Sequence, residues 1–168
     1  MLLESIEARN FRNLNGKIVC SEGLNILAGE NGQGKTNWLE AIGVLASTRS
    51  FRTAKLQETV NFESDLAWIR GRVRESPEIL RELRVEVKGN TKTLSINGKK
   101  ESMNRYLGQL HAVVFNSDEL ETVRGHPEAR RRFLDAGIVS LHPPFVQVLA
   151  DYNRVISIIC HKLIVCWF

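Results

Sequence analysis

The stretch that decides the fold of this chain is Gly29-Glu30-Asn31-Gly32-Gln33-Gly34-Lys35-Thr36. It matches the pattern of a glycine, four residues, and then Gly-Lys-Ser/Thr, which forms a loop around phosphate groups (a P-loop). Its glycines let backbone N–H groups point inward at the phosphates, and a helix starting at Lys35 would add its positive dipole end. Lys35 is expected to contact the β- and γ-phosphates, and the Thr36 hydroxyl is expected to bind Mg²⁺. The alternative is a glycine-rich turn with a solvated lysine.

The flanks of the loop favour the phosphate-binding interpretation. Residues 24–28 form a short apolar run, which predicts a buried parallel strand before the loop. Apolar residues then recur at helical spacing over residues 36–48, without an intervening proline. A strand, a glycine-rich loop and a helix in this order predict an α/β P-loop NTPase fold, with a nucleoside triphosphate and Mg²⁺ as its ligands. The loop alone does not identify the nucleotide.

Other elements are predicted on both sides of this core. Alternating apolar and polar residues at 3–9 and 17–20 predict a hairpin with its turn at 13–16. Downstream, the pattern predicts a helix at 103–109, an apolar strand at 112–115 and a helix at 128–135 behind Pro127.

A β meander is predicted between these elements, as an insertion over about 65–98 with turns at Gly89-Asn90 and Asn97-Gly98. Within it Arg70, Arg72 and Arg74 alternate with apolar residues, which places the arginines on one strand face and predicts packing on the other. The segment 70–105 holds ten Lys or Arg and five Asp or Glu, a balance of +5. These arginines are candidate contacts for DNA phosphates, and the alternative is a solvated face with glutamate partners.

Composition indicates the number of domains, the charge of a partner and the cellular compartment. With 168 residues, 43% hydrophobic and 25% charged, the chain has the size of one globular domain, and its net charge of +4 is compatible with an anionic partner. The three cysteines, Cys20, Cys160 and Cys166, have neither disulfide nor zinc spacing. The first ten residues lack the pattern of a secretory signal, so a cytoplasmic protein is expected.

Five segments, in this order and spacing, resemble the RecF family of SMC-like ATPases: LESIEARNFRNL at 3–14, GENGQGKTNWLEAI at 29–42, STRSFRT at 47–53, LSINGKK at 94–100 and VVFNSDELETVRGHPEARRRFLD at 113–135. The resemblance covers residues 1 to about 154. It implies the N-terminal part of an ABC/SMC-like ATPase head.

The resemblance implies a set of nucleotide-binding residues. By position it carries over Arg12, Asn31, Gly32, Gln33, Gly34, Lys35 and Thr36, and the loop motif itself adds Gly29 and Glu30. Arg12 is similar to an arginine that related heads place near the nucleotide, and the alternative for it is a solvated arginine at a hairpin turn.

The resemblance also implies a function. RecF-like proteins bind DNA gaps or junctions as ATP-dependent dimers, act with a RecR-like mediator to load recombinase, and belong to replication, gap repair and the SOS response. It favours contact with DNA or a partner at Arg70, Arg72 and Arg74, and at a second cluster, Arg130–Arg132. Two alternatives stay open: a non-catalytic nucleotide- or DNA-binding module, and another SMC-like ATPase head.

Two features depart from the family pattern. Asp118 and Glu119 are not a Walker B pair, since Asn116 and Ser117 separate them from the apolar run; in the family the Walker B strand and signature loop lie further downstream. The head is therefore expected to be incomplete, and the question of whether this chain hydrolyses ATP stays open.

The second departure is at the C-terminal end of the sequence. Residues 155–168, with eleven apolar residues of fourteen, are too short to span a bilayer. A truncated or frame-shifted end is expected there, with a docking helix or strand as the alternative.

Overall fold

The computed structural model describes residues 1–115 and 126–165. The chain forms two compact units, Met1–Asn116 and Ser117–Phe168. In chain order the elements are β1 Leu2–Phe11, β2 Leu14–Val19, α1 Lys35–Ser47, a 3₁₀ helix Leu56–Thr59, β3 Leu66–Ser76, β4 Ile79–Lys88, β5 Thr91–Ile96, β6 Lys99–Lys100, α2 Met103–Tyr106, α3 Pro127–Leu141 and α4 Phe145–Val165.

The strands of the first unit form one six-stranded antiparallel sheet in the order β2-β1-β3-β4-β5-β6. The predicted hairpin is confirmed, and so is the meander, but the two are continuous because β1 pairs with β3. The turn predicted at 13–16 is wrong, because it starts one residue late and ends three residues late. Phe11 already pairs with Leu14, so Arg12 and Asn13 alone form the turn. Arg12 makes this tight connection possible by adopting a left-handed backbone, with φ of 54°.

Helix α1 packs against one face of this sheet, where it contacts β1, β3 and β4. Its buried side chains include Ala41, Val44 and Leu45. Gly71 on β3 admits the helix, since a β-carbon there would overlap the end of the Leu45 side chain and lie 3.1 Å from Leu3 Cδ1. The buried Tyr106 hydroxyl donates to the carbonyl oxygen of Leu45 at 3.0 Å. The predicted helix after the loop is thereby confirmed, with the P-loop at its N-terminal end.

Three predicted elements are wrong in detail. Residues 24–28 and 112–115 form no strand, and Leu24 and Ile26 are 82% and 78% exposed. A parallel strand needs hydrogen-bonded neighbours, and within residues 1–115 and 126–165 no segment pairs with either stretch. The helix predicted at 103–109 is only Met103–Tyr106, because Gly108 turns the chain with φ of 85°.

The second unit contains α3 and α4. The predicted helix behind Pro127 is confirmed and extends to Leu141, with Pro127 in its first turn. Helix α4 runs through residue 155 without a break as far as Val165. Over the described part of the chain, no helix combines the length and hydropathy needed to cross a membrane.

Candidate nucleotide-binding site

The P-loop occupies residues 29–34 and leads directly into α1. Gly32 and Gly34 have φ of 88° and 94°, in the region that favours glycine. At Gly34 a β-carbon would also lie 2.8 Å from Asn13 Oδ1 and 2.9 Å from Leu14 Cδ2, so only glycine fits there. None of the side chains that the structure describes caps the first turn of α1, which leaves its backbone N–H groups able to bind an anion.

The two polar residues at the start of α1 are placed for different tasks. The Lys35 ammonium donates hydrogen bonds of 2.7 Å to the carbonyl oxygens of both Gly29 and Glu30, so it lies over the beginning of the loop. Thr36 is exposed, and its hydroxyl is therefore accessible to a solvated metal ion. Gln33 folds back within the loop, where its Oε1 accepts from the Glu30 N–H at 3.2 Å. This glycine cradle, ammonium and hydroxyl fit a triphosphate with Mg²⁺.

The tip of the β1–β2 hairpin contacts the P-loop through Asn13. Its Nδ2 donates to the carbonyl oxygen of Gly32 at 3.1 Å, and its Oδ1 accepts from Asn37 Nδ2 of α1 at 2.7 Å. Asn13 thus joins the loop to the helix that follows it. Sequence reasoning missed both asparagines, although Asn13 directly follows Arg12 in the motif that suggested a nucleotide contact.

Arg12 is held at this tip by its backbone as well as its side chain. Its N–H donates to the Thr59 carbonyl oxygen at 2.6 Å, and its own carbonyl accepts from Asn61 Nδ2 at 2.9 Å. Its guanidinium donates to the Glu58 carbonyl oxygen at 2.8 Å and to the Glu40 carboxylate. The side chain is 24% exposed, so Arg12 is not simply a solvated arginine. Its left-handed backbone costs on the order of 1–3 kcal/mol, which these contacts offset.

Glu40 is the charged residue that sequence reasoning missed. It lies on α1 with its side chain fully buried, and it accepts hydrogen bonds from Arg12, Ser50 and Arg52. Burial raises the pKa of this carboxyl, but the hydrogen bonds from Arg12 and Ser50 and the charges of Arg12 and Arg52 outweigh it, so the pKa lies below its ordinary value. The sequence did offer one signal for a buried charge here, since Glu40 stands between the apolar residues Leu39 and Ala41 on the helix.

The outer face of the sheet carries the arginines predicted to contact DNA. Arg70, Arg72 and Arg74 share this face of β3, while Ile69 and Val73 on the other face are buried, as predicted. Two of the three arginines pair with carboxylates of neighbouring strands. Arg70 contacts Glu7 at 2.6 Å and Glu82 at 3.7 Å, and Arg74 pairs with Glu4.

Arg72 differs from its two neighbours. It is exposed and makes no ion pair with any residue that the structure describes. It lines a shallow groove of about 370 Å³ together with Lys17, Arg74 and Glu22. Further along the same face, Trp68 stacks with the guanidinium groups of Arg70 and Arg84, 5.6 and 4.8 Å from the ring centre.

The remaining sequence candidates lie elsewhere. In the second unit, Arg130 and Arg131 are exposed on α3. Asp118 and Glu119 lie outside the described residues.

Known proteins resemble this chain in both sequence and fold. DNA replication and repair protein RecF of Bacillus mycoides is 33% identical over 94% of this chain and 42% of that protein. The RecF proteins of Ligilactobacillus salivarius and Caldanaerobacter subterraneus subsp. tengcongensis are each 38% identical, over 93% and 94% of this chain and 41% and 44% of those proteins. No family model matches the chain.

Two solved structures superpose closely on this fold. Recombination mediator protein RecF-ATPrS in the RecFOR pathway aligns with a TM-score of 0.86 and 35% identity, over 93% of this chain and 43% of that one. The corresponding RecF-ATP structure aligns with a TM-score of 0.85 and 35% identity, over 92% and 42%. The chain spans less than half the length of these proteins. Over nearly its whole length it is similar, in sequence and in fold, to the N-terminal part of RecF.

Proposed function

We propose that this chain binds ATP with Mg²⁺ at residues 29–36, as the nucleotide-binding portion of a RecF-like ATPase head. One observation carries the proposal: the P-loop ends at the uncapped N-terminus of α1 and is held there by the Asn13 hydrogen bond to Gly32. The similarity to a structure of RecF with ATP supports the choice of nucleotide.

The proposed chemistry is electrostatic. The loop N–H groups and the dipole of α1 would receive the negatively charged phosphates, and Lys35 would exchange its carbonyl contacts at Gly29 and Glu30 for phosphate oxygens. The exposed Thr36 hydroxyl would bind Mg²⁺. All of these groups act on bound phosphates, so they account for binding. Turnover would require further groups that stabilise the transition state selectively.

The wider role that we propose is DNA replication and recombinational repair in the cytoplasm. It includes binding of gapped or junction DNA, an ATP-dependent dimer, and action with a RecR-like mediator. The names of the similar proteins support this role, as does the outer sheet face with Arg70, Arg72 and Arg74. Ion pairing of Arg70 and Arg74 makes Arg72 the first candidate for a phosphate contact.

Titration of the purified chain with a fluorescent ATP analogue and Mg²⁺ tests the nucleotide proposal. Lys35→Ala should weaken binding by about ten- to a hundredfold, because a hydrogen bond to a charged group contributes about 1.5–3 kcal/mol. Lys99→Ala is the matched control, because it removes an exposed lysine from β6, and it should leave the nucleotide affinity unchanged. Equal affinities for the wild-type chain and Lys35→Ala would contradict a P-loop site.

The second candidate function is a non-catalytic nucleotide-binding module. It is favoured as an alternative because the loop N–H groups, Lys35 and Thr36 would all act on the phosphates of bound nucleotide, and none of them acts selectively on a transition state. A phosphate-release assay on the same samples tests this alternative, since Lys35-dependent multiple turnover would exclude a non-catalytic module. Binding without turnover would support it.

A further inference from the structure

One buried carboxylate connects the P-loop helix to two arginines. Glu40 on α1 accepts two hydrogen bonds from Arg12, from Nε at 3.1 Å and from Nη2 at 2.9 Å. Ser50 Oγ donates to it at 2.6 Å, and Arg52 Nη1 donates at 3.3 Å. The hairpin tip, the helix and the loop around residue 50 therefore meet at one anion, which is fully buried.

Arg12 keeps donors that these contacts do not use. A guanidinium carries five N–H bonds, and among the residues that the structure describes three of them are engaged: two with Glu40 and one with the carbonyl oxygen of Glu58. The two others remain on a side chain that is still partly exposed. Arg12 also adjoins Asn13, which contacts Gly32 and lies against Gly34. The unused donors are thus carried at the hairpin tip that touches the P-loop.

The backbone of Arg12 supports the same interpretation. An L-residue with φ of 54° is strained, and such a conformation persists where the surroundings hold it. Here Thr59 and Asn61 hold its N–H and carbonyl groups while Glu40 holds its side chain. This residue is fixed at every polar group of its backbone, although a glycine would adopt the same turn without strain.

A purely structural role explains Glu40 poorly. Well-packed apolar side chains of similar volume often stabilise a protein as well as a buried ion pair does. An anion, in contrast, orients two guanidinium groups through directed, charge-assisted hydrogen bonds. Arg52 is oriented here too, because its Nη1 also donates to Asn37 Oδ1 at 2.6 Å. Asn37 in turn bonds Asn13, so one hydrogen-bonded chain leads from Glu40 to the P-loop.

We propose that Glu40 is a positioning residue for nucleotide binding, which holds Arg12 so that its two free N–H groups can reach an anionic ligand of the P-loop. Arg52 is the second cation of this cluster and is held by the same carboxylate. The inference rests on the proposed function, because it requires a nucleotide at the P-loop.

A double-mutant cycle on the 168-residue chain tests the proposal, with fluorescent ATP and Mg²⁺ as the probe. Glu40→Gln should lower ATP affinity about tenfold, and Arg12→Ala should lower it at least as much. The double variant should bind no more weakly than Arg12→Ala alone, because Glu40 acts through Arg12. Glu86→Gln, a carboxylate on the outer sheet face, is the matched control. Thermal unfolding of each sample establishes that the folded state is being titrated.

The outcomes separate this inference from the function beneath it. If the wild-type chain binds ATP and Glu40→Gln binds equally well, the inference is overturned and the P-loop site stands. Losses that simply multiply in the double variant would overturn it too, because they would show that the two residues act independently. If the folded wild-type chain binds no ATP, the proposed function fails and the inference fails with it.

A second variant covers the case in which Glu40→Gln does not fold. Arg12→Lys keeps the charge but cannot make both hydrogen bonds to Glu40. Its affinity should fall nearly as far as that of Arg12→Ala. Wild-type affinity in Arg12→Lys would overturn the inference.

Discussion

The side-chain amide of Asn13 donates a 3.1 Å hydrogen bond to the carbonyl oxygen of Gly32, so the tip of an antiparallel hairpin supports the phosphate-binding loop. The oxygen of the same side-chain amide, Asn13 Oδ1, accepts a hydrogen bond from Asn37 on α1. A loop of glycines has little conformational preference of its own. This contact therefore supplies part of the order that the loop needs before it meets a ligand.

Asn13→Ala should weaken nucleotide binding by about two- to tenfold, the effect of losing roughly 0.5–1.5 kcal/mol of hydrogen bonding. The physical reason is that Gly32 would lose its only described side-chain partner in the hairpin. Titration with fluorescent ATP measures the effect. Asn15→Ala is the matched control, because Asn15 bonds the backbone of Asn10 and not the P-loop. Equal effects of the two substitutions would contradict the role of Asn13.

Thr36→Ala should reduce the contribution of Mg²⁺ to nucleotide affinity while leaving metal-free binding nearly unchanged. The hydroxyl at this exposed position is the group proposed to bind the metal, whereas the loop amides act on the phosphates directly. Affinities measured with Mg²⁺ and with excess chelator give the two values. Thr36→Ser, which keeps the hydroxyl, should behave like the wild-type chain, and an equal Mg²⁺ effect in Thr36→Ala would disprove the assignment.

Arg72→Ser should lower the salt dependence of DNA binding. One phosphate contact contributes about 0.9 to the slope of log affinity against log salt, so the slope should fall by roughly that amount. Changing Arg70 and Arg74 as well should lower it by about 2 to 3 in total, provided that phosphates displace their glutamate partners. The measurement is a salt titration with gapped duplex DNA.

Arg105→Ser serves as the control for this experiment, because Arg105 has a side chain that is 78% exposed and lies on α2, which contacts β5. For Arg105→Ser, the slope of log affinity against log salt should equal that of the wild-type chain. If the folded variant with Arg70, Arg72 and Arg74 all changed keeps the wild-type slope of log affinity against log salt, the sheet face does not contact DNA.

Gly71→Ala should destabilise the first unit by about 1–3 kcal/mol, the usual cost of overpacking a core. The added methyl group would overlap the end of the Leu45 side chain on α1, so this fully buried side chain would have to shift. Denaturant unfolding measures the change. Gly16→Ala on β2 is the control, since the nearest atom to its β-carbon is Trp38 Cζ2 at 4.0 Å. Equal stability of both variants would show that α1 is not held tightly against β3.

Glu40 should make stability depend on pH at the acid end. Its folded-state pKa is lowered below the ordinary value of 4.5, so its charge stabilises the fold above that pH and the contribution is lost as pH falls through the folded-state pKa. The difference in unfolding free energy between the wild-type chain and Glu40→Gln should therefore shrink on acidification from about pH 7 to about pH 3. A difference that stays constant would show that the carboxylate gains nothing from Arg12, Ser50 and Arg52.

Local patterns were sufficient to predict several parts of this molecule. Short stretches of sequence predicted the P-loop, the helix after it and the alternation of Arg70 with Ile69. Each of these depends only on local backbone freedom or on side-chain periodicity. The hairpin and the helix behind Pro127 were predictable for the same reason.

Long-range pairing decided the rest. The apolar run at 24–28 predicted a parallel strand, but a strand exists only where another chain segment completes its hydrogen bonds, and the described residues provide none. Glu40 contacts Arg12 across 28 positions of sequence, and Arg70 contacts Glu7 across 63. By itself the sequence determined the P-loop pattern and the helix after it, and from these it predicted a phosphate site at the start of α1. Tertiary structure alone decided which charges meet there and which arginines are already paired, because those energies depend on distances that the linear chain does not contain.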